Sequence, residues 1–313
     1  MLYTLINILL QMKEWRMNMV KILLGSLILL VLYFAFYYFS DVYKAAKAEK
    51  INNKDFITFG AIGFIANFFD TLGVGSFAII TSIVRFFKLT DDRTLPGTLN
   101  VSCTIPTCLE AIIFLTVIKV DIITLVSMIL AAVLGAIFGA DIVAKFDIRK
   151  VRIGMGLALI AVAILMLTGL LKLMPVGGTA DGLTGIKLVI AIGSNFILGA
   201  LMQLGIGLYA PCMALIYALG MNPLAAFPIM MGSCAFLMPA GSTQFVKRGA
   251  YDKKAAIAIT LFGCIGVLIA GYIVKSLPLG IVKWLVLIIV IYTAIMILRS
   301  AHQARIQSMG IVK

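Results

Sequence analysis

The chain has 313 residues, of which 62% are hydrophobic and only 12% charged, and its mean hydropathy is +1.12. A soluble domain is about half apolar and about a quarter charged, so this composition excludes a soluble protein and predicts an integral membrane protein. The formal net charge of +13 fits lysine and arginine in loops beside anionic lipid, whereas no basic patch interleaved with aromatic residues points to a nucleic acid.

The apolar segments predict an all-α, polytopic membrane protein, because they are long and continuous rather than alternating as in barrel strands. Residues 1–18 are expected to form an interfacial segment ahead of the first span. In chain order, the predicted spans and apolar blocks cover residues 22–40, 56–87, 95–118, 122–144, 153–171, 188–246, 255–274 and 279–298. The last of them is expected to be a separate final helix over residues 279–299.

Two of these blocks contain nearly the same seven residues. LGVGSFA at positions 72–78 returns as LGIGLYA at positions 204–210. Further pairs follow the same order: Asn67-Phe68 with Asn195-Phe196, Ser102-Cys103 with Ser233-Cys234, and Val120-Asp121 with Tyr251-Asp252. Internal similarity of this kind predicts two related transmembrane repeats, over residues 19–145 and 150–275.

The duplicated glycines predict that each block folds back on itself inside the membrane. As one straight helix, residues 56–87 would be about 48 Å long, against a hydrocarbon core of about 30 Å. If each block is instead a re-entrant hairpin, the basic loops at 41–55, 85–93, 145–152 and 247–254 fall on one side, as the positive-inside rule expects of the cytoplasm. We therefore predict a prokaryotic plasma (inner) membrane protein with its N-terminus outside and its C-terminus in the cytoplasm.

Under this topology each repeat crosses three times, so the two repeats must be inverted relative to each other. Inverted repeats with broken helices are the architecture of many secondary transporters. Half-helices that restart at Ser76 and Leu208 would point free N–H groups and a positive dipole end at the midplane, which suits a small anion. The alternative is that the glycines only allow helices to pack closely, as they do widely in membrane bundles.

The residues near the predicted hairpin tips form the candidate substrate-binding set. They are Asn67, Gly73, Gly75, Ser76, Asn100, Ser102, Asn195, Gly205, Gly207, Tyr209, Cys212 and Ser233. Two acids within apolar segments, Asp70 and Glu110, are candidates for proton coupling, or for structural ion pairs with a base such as Arg85. Neither acid has a counterpart in the other half, so we expect neither to belong to a symmetric site.

Motifs for other functions are missing from the sequence. There is no P-loop and no zinc-binding helix motif, and the single histidine, His302, lies far along the chain from Ser76 and Cys212. The five cysteines form no CxxC pair, so neither a metal site nor a disulfide framework is expected. We expect no enzymatic activity and no cofactor; proton or sodium coupling is open. The expected partners are the lipid bilayer and a small anionic substrate, with no nucleic acid, and an oligomer is open.

The segment NFILGALMQLGIGLYAPCMALIYALGMNP at 195–223, with the weaker copy NFFDTLGVGSFA at 67–78, resembles the sulfite exporter TauE/SafE family of membrane transporters. The order and duplication of the two motifs carry this resemblance over most of the chain. In the first half the family pattern often has a third glycine and a later proline, where this chain has Ser76 and Ile80.

The resemblance implies a secondary transporter, and an exporter in many cases, of small sulfur-containing anions such as sulfite or organosulfonates. The residues themselves predict an anion held at the midplane between two glycine-rich hairpin tips, and they indicate nothing about sulfur. The alternatives are a transporter of small carboxylates or other organic anions, and an anion channel. A channel would need a continuous polar lining, for which the chain offers few side chains.

Overall fold

The computed structural model describes residues 2–47, 55–91, 93–139, 147–171, 178–202, 207–276 and 278–308. Helices make up 85% of the structure, and the described ranges contain no β-strand beyond an isolated bridge between Ala180 and Met221. The predicted all-α fold is therefore confirmed. Within the described ranges, six helices are long and apolar enough to cross a membrane, as expected of a polytopic protein.

Eleven α-helices account for the described part of the chain. They are α1 (Leu2–Lys47), α2 (Phe56–Thr71), α3 (Ser76–Phe86), α4 (Leu95–Val117), α5 (Ile122–Leu134), α6 (Ile148–Leu170), α7 (Gly185–Met202), α8 (Tyr209–Ala218), α9 (Ala226–Arg248), α10 (Lys253–Ser276) and α11 (Leu279–Ser308). A π-helical turn, Gly135–Gly139, extends α5, and a 3-10 turn, Pro223–Ala225, precedes α9. Residues 2–18 are the first part of α1, so the predicted N-terminal segment is not a separate element; its interfacial position stays a prediction.

Helices α4 and α9 form the centre of the bundle and run antiparallel. Near one end, the Thr104 and Ser242 hydroxyl oxygens are 2.7 Å apart. Towards the other, the rings of Phe114 and Phe227 stack with their centroids 5.1 Å apart. Around this pair, α2 packs along α10, α5 packs along α7, and α6 packs along α11. Two ends of the bundle are thereby defined: a first end, where α4 begins, and a second end, where α4 finishes.

The predicted break in the first apolar block is present between α2 and α3. The Val74 N–H donates to the Phe69 carbonyl at 3.0 Å, which closes the last turn of α2. Gly73 and Gly75 have φ angles of +100° and +90°, a region that side chains make unfavourable and that glycine enters freely. The glycines are therefore required by the turn itself. In the second block, α7 ends at Met202 and α8 begins at Tyr209.

The first broken pair begins and finishes at the same end of the bundle. The Lys254 ammonium lies 5.6 Å from the ring centroid of Phe59, near the start of α2. Just after α3, the Thr90 hydroxyl donates to Asp252 at 2.9 Å. Asp252 lies in the connection between α9 and α10 and Lys254 in the first turn of α10, so both contacts are at the first end. The chain thus enters along α2 and returns along α3.

The second broken pair has the same arrangement at the second end. The Lys187 ammonium, near the start of α7, donates to the Leu219 carbonyl just after α8 at 3.1 Å. The Asp121 N–H, between α4 and α5, donates to the Asp181 carbonyl just before α7 at 2.8 Å. This geometry favours two hairpins that enter from opposite ends; their re-entrant placement in a membrane stays a prediction.

Several local contacts recur in both halves of the chain. The Asp121 carboxylate accepts the Thr124 N–H at 2.8 Å, and the Asp252 carboxylate accepts the Ala255 N–H at 3.0 Å. In the same way, Asp91 accepts the Arg93 N–H and Asn222 accepts the Leu224 N–H. Such matched caps are what a repeated ancestral unit would leave behind. The inverted repeat remains a prediction, to which they add support.

Glycines let the hairpins approach neighbouring helices closely. A Cβ at Gly266 of α10 would lie 2.5 Å from the Phe64 carbonyl oxygen of α2. On the other side of the bundle, a Cβ at Gly135 would collide with the backbone of Phe196, and one at Gly199 with the backbone of Ala132. The α2–α10 and α5–α7 interfaces therefore use the same small-residue packing that membrane helices use in general.

We predict that Gly199→Ala lowers the free energy of unfolding by about 1–3 kcal/mol, because the added methyl group must displace the α5 backbone. Gly193→Ala is the matched control on α7, since a Cβ there meets no atom within 4 Å. Thermal unfolding in detergent should show a lower Tm for Gly199→Ala alone. Equal melting temperatures for the two variants would contradict this close α5–α7 contact.

Candidate functional site

Asp70 caps the helix that follows the first break. One carboxylate oxygen of Asp70 accepts the Ser76 N–H at 2.8 Å, and the other accepts the Ser76 hydroxyl at 2.7 Å. Ser76 is the first residue of α3, and the Asp70 side chain is only 3% exposed. A carboxylate at this position stabilises the unpaired N–H groups and the positive end of the helix dipole.

This cap changes one expectation from the sequence. The Ser76 N–H was expected to be free for a substrate anion, but in the structure an internal carboxylate accepts it. The start of α8 differs, because its N-cap residue, Leu208, makes no side-chain capping hydrogen bond. The two predicted walls of the site are therefore chemically different: one already holds a negative charge, and the other has no such cap from Leu208.

Glu110 of α4 joins the two breaks. One of its carboxylate oxygens accepts the hydroxyl of Thr71, the last residue of α2, at 2.9 Å. The other accepts the hydroxyl of Tyr209, the first residue of α8, also at 2.9 Å. Glu110 is fully buried. Glu110 has no counterpart in the second half and was therefore expected outside a symmetric site, but its two hydrogen bonds place it between the halves.

The first break also packs directly against the second half. A Cβ at Gly73 would lie 2.8 Å from the terminal methyl of Met213 on α8 and 3.5 Å from that of Met230 on α9. Together with the Thr71–Glu110–Tyr209 bridge, this contact shows that the two breaks converge in the interior of the bundle.

The two acids lie in a region that contains hydroxyl donors and no described counter-cation. Within the described side chains, neither carboxylate forms an ion pair with lysine or arginine; the side chain of Arg85 lies outside them. An ion pair joins Lys253 and Asp41 at the first end of the bundle. Two unit charges about 4 Å apart interact by about 4 kcal/mol at an effective dielectric constant of ~20. A free anion would therefore be repelled if both acids were ionised.

Asn67 and Asn195 hold matching positions beside the hairpins. The Asn67 amide donates to the Gly63 carbonyl of its own helix at 2.8 Å. The Asn195 amide donates to the Met128 carbonyl at 2.7 Å and to the Ser233 hydroxyl at 3.0 Å. Both asparagines are fully buried, and the Oδ1 atom of each has no hydrogen-bond partner. Two buried acceptors are thus available to a ligand or to water.

The other candidates divide into three groups. The Asn100 amide and the Ser102 hydroxyl bond to carbonyls of their own helix, at Pro96 and Leu99, which is the ordinary structural role of such side chains. Cys212 is a buried free thiol of α8. A Cβ at Gly75 or Gly207 would meet no atom within 4 Å, so both glycines border open space. Gly205 lies outside the described residues.

Thr71 and Cys103 belong to this region and were missed by the sequence analysis. The Thr71 hydroxyl oxygen lies 2.9 Å from the Glu110 carboxylate and also 2.9 Å from the Asn67 carbonyl oxygen, so it links the two. Cys103 lies against the side chains of Ser76 and Ser102. Thr71 follows Asp70 directly and stands four residues after Asn67, so helical spacing was the available signal. In the described part of the chain, no group of three or more His, Cys, Asp or Glu side chains could hold a metal ion.

The sequence pattern of the sulfite exporter TauE/SafE family matches residues 8–166, which is half of the chain. The chain belongs to this family. The match covers most of α1, all of α2 to α5 and most of α6, and it includes the first glycine motif, the Asp70 cap and Glu110. No curated protein and no solved structure matches the chain. Membership in a transporter family and six span-length helices make this a multi-pass membrane protein of the transporter class.

We predict that Tyr209→Phe lowers the free energy of unfolding by about 1–3 kcal/mol, because it removes a hydrogen bond to a buried carboxylate and leaves that oxygen unpaired. Tyr292→Phe is the matched control, since Tyr292 is 41% exposed on α11. Thermal unfolding of the two variants at neutral pH measures the difference. A Tyr209→Phe protein as stable as the control would show that the Glu110 bridge contributes nothing to the native state.

Proposed function

We propose that this protein is a secondary transporter, and specifically an exporter, of small sulfur-containing anions such as sulfite or organosulfonates. The observation that carries the proposal is the convergence of two broken helices, from opposite ends of the bundle, at Glu110. A site between two such breaks can open to either side of a membrane by rocking one hairpin against the other. The proposal that the substrate contains sulfur rests on the family alone. The bundle geometry supports a small anion without indicating which one.

The anion is proposed to bind between the breaks, nearer to α8 than to α3. The start of α8 has no side-chain cap from Leu208 and borders the open space at Gly207. At the start of α3, Asp70 already occupies the equivalent position. The hydroxyls of Thr71 and Tyr209 would complete the site once they are released from Glu110. The remaining predicted residues, including Asn67 and Asn195, line the approach in this proposal.

Coupling to a proton or to sodium is part of the proposal, because the negative charge between the breaks must be reduced before an anion can lie there. Each positive charge that binds with the anion offsets a repulsion of about 4 kcal/mol between the anion and one carboxylate about 4 Å away. Asp70 and Glu110 are the candidates to take up that positive charge.

The proposed orientation places the first end of the bundle in the cytoplasm of a prokaryotic cell. The last turns of α1 and α9 carry Lys44 and Lys47, and Lys247 and Arg248, and α10 begins with Lys253 and Lys254. All lie at the first end, and an excess of lysine and arginine is typical of cytoplasmic loops. The C-terminus would then be cytoplasmic and the N-terminus outside.

Currents across proteoliposomes on a solid-supported membrane test the substrate class. Sulfite, sulfate, sulfoacetate, taurine, acetate and lactate are each stepped in, with and without a pH gradient. We expect responses to sulfite or to sulfoacetate. We expect none to taurine, a sulfonate whose ammonium group leaves it without net charge, and none to the carboxylates acetate and lactate. A response to acetate or lactate alone would replace the sulfur anions with carboxylates as substrates. Currents that never saturate with concentration would favour a channel.

Gly207→Leu is expected to abolish transport and to leave the protein folded in the membrane, because the side chain would fill the open space beside the start of α8. Gly193→Leu is the control, since a Cβ there also meets no atom and lies away from the break. Gly75→Leu should abolish transport too, but its positive φ makes folding part of the loss. Counterflow of labelled substrate measures all three; normal counterflow by Gly207→Leu would contradict the site.

A further inference from the structure

We propose that Glu110 carries the coupling proton and that Asp70 is a fixed helix cap, so that the ion moved with the anion is a proton rather than sodium. This inference rests on the proposed function, since it assigns the coupling that the proposal leaves open. It follows from which structural elements each carboxylate contacts.

Glu110 is bonded to both hairpins at once. Thr71 belongs to the first hairpin and Tyr209 to the second, and each donates a hydroxyl hydrogen to a different oxygen of Glu110. A coupling residue must respond to the relative position of the two moving parts. Glu110 meets this requirement, because its environment cannot stay the same if the hairpins move apart.

Asp70 lacks that property. Both of its oxygens bond to Ser76, six residues along the same hairpin. Rigid movement of the hairpin would carry donor and acceptor together and leave the cap unchanged. Loss of the Asp70 charge would also leave the buried start of α3 without its partner, so this carboxylate stabilises the fold in every state of a transport cycle.

Protonation of Glu110 would loosen the bridge between Thr71 and Tyr209, because it changes which carboxyl oxygen can accept a hydrogen bond. A carboxylate accepts hydrogen bonds at both oxygens, whereas a carboxylic acid accepts at its carbonyl oxygen and donates from the other. One of the two hydroxyl bonds, to Thr71 or to Tyr209, must then break or reverse direction. A broken bond frees that hydroxyl for the anion, and a reversed bond turns its hydrogen towards another acceptor. Both results replace a charge-assisted hydrogen bond with a weaker one or with none, so the proton loosens the link between the hairpins.

The surroundings of Glu110 suit a proton better than sodium. The titratable groups that interact electrostatically with Glu110 are Asp70 of α2, Cys103 and Cys108 of α4, Tyr209 of α8, Cys234 of α9 and Cys264 of α10. The oxygens bonded to Glu110 are the hydroxyls of Thr71 and Tyr209, and both point their hydrogens at it. Hard cations are held by several oxygen ligands that present lone pairs, and sulfur is a poor ligand for them. A proton needs only the carboxylate.

Infrared spectroscopy of the reconstituted full chain, titrated with pH, tests the assignment without any substrate. We expect a carbonyl band of a protonated carboxyl group that is lost on alkalinisation in the wild type. Glu110→Gln should lack this band, and Asp70→Asn, where it folds, should keep it. Tyr209→Phe should shift the band, because Glu110 loses a hydroxyl partner. Thr116→Val, on the exposed face of α4, the helix that carries Glu110, should leave the band unchanged.

The outcomes separate cleanly. A titrating band that persists in Glu110→Gln and disappears in Asp70→Asn would overturn the assignment in favour of Asp70. A wild-type protein with no titrating carboxyl band would overturn it as well, since a group that never changes protonation carries no proton. If Asp70→Asn fails to fold, Asp70→Glu replaces it as the variant that changes the cap and keeps an acid.

A transport arm distinguishes this inference from the proposed function. With sulfoacetate as the probe, Glu110→Gln should retain exchange of labelled for unlabelled anion and lose sulfoacetate-driven proton movement, followed with a trapped pH indicator. Sodium-dependent transport that is unchanged in Glu110→Gln would overturn the proton assignment. Absence of sulfoacetate exchange in the wild type would instead contradict the proposed substrate and leave the spectroscopic result to decide Glu110.

Discussion

A helix that stops in the buried interior of a bundle leaves backbone groups that water does not reach, and the rest of this structure depends on how those groups are satisfied. The α2–α3 break meets the constraint within the chain: Gly73 and Gly75 make the turn, the Phe69 and Asp70 carbonyls accept the N–H groups that follow, and the Asp70 carboxylate covers the start of α3. The solution introduces a buried negative charge. That charge in turn determines what can bind nearby, because any further anion in the same space must arrive with compensating charge.

Glu110 connects the two helix breaks into one site. Without Glu110, the breaks would be two separate turns that happen to pack together through Gly73 and Met213. With it, the end of α2 and the start of α8 share a single carboxyl group. A buried carboxylate that bonds two moving parts is stable only while both donors are in place, so the interior of the bundle has a preferred arrangement and a specific way to leave it.

The sequence predicted the first break well and the chemistry around it only in part. A glycine pair in an apolar run indicates a turn because few other residues adopt positive φ, as Gly73 and Gly75 do. In the second copy the predicted tip lies partly outside the described residues, between Met202 and Gly207. The role of Asp70 depends on how tightly the chain turns between residues 70 and 76, which no periodicity describes. The role of Glu110 depends on contacts 39 and 99 residues away. Asn100 and Ser102 show the limit of polarity as a signal: each donates to a carbonyl of its own helix, and their place in a binding site stays a prediction.

The close glycine contacts also show where the molecule divides. Helix α2 of the first half is locked against α10 of the second, and α7 of the second half is locked against α5 of the first. Each of these closely packed pairs therefore combines a helix from the first half of the chain with a helix from the second. The boundary along the sequence, near residue 147, does not coincide with any boundary in space. A motion that opens the structure would separate such mixed pairs rather than the repeats, and neither repeat could complete its own packing if the other were absent.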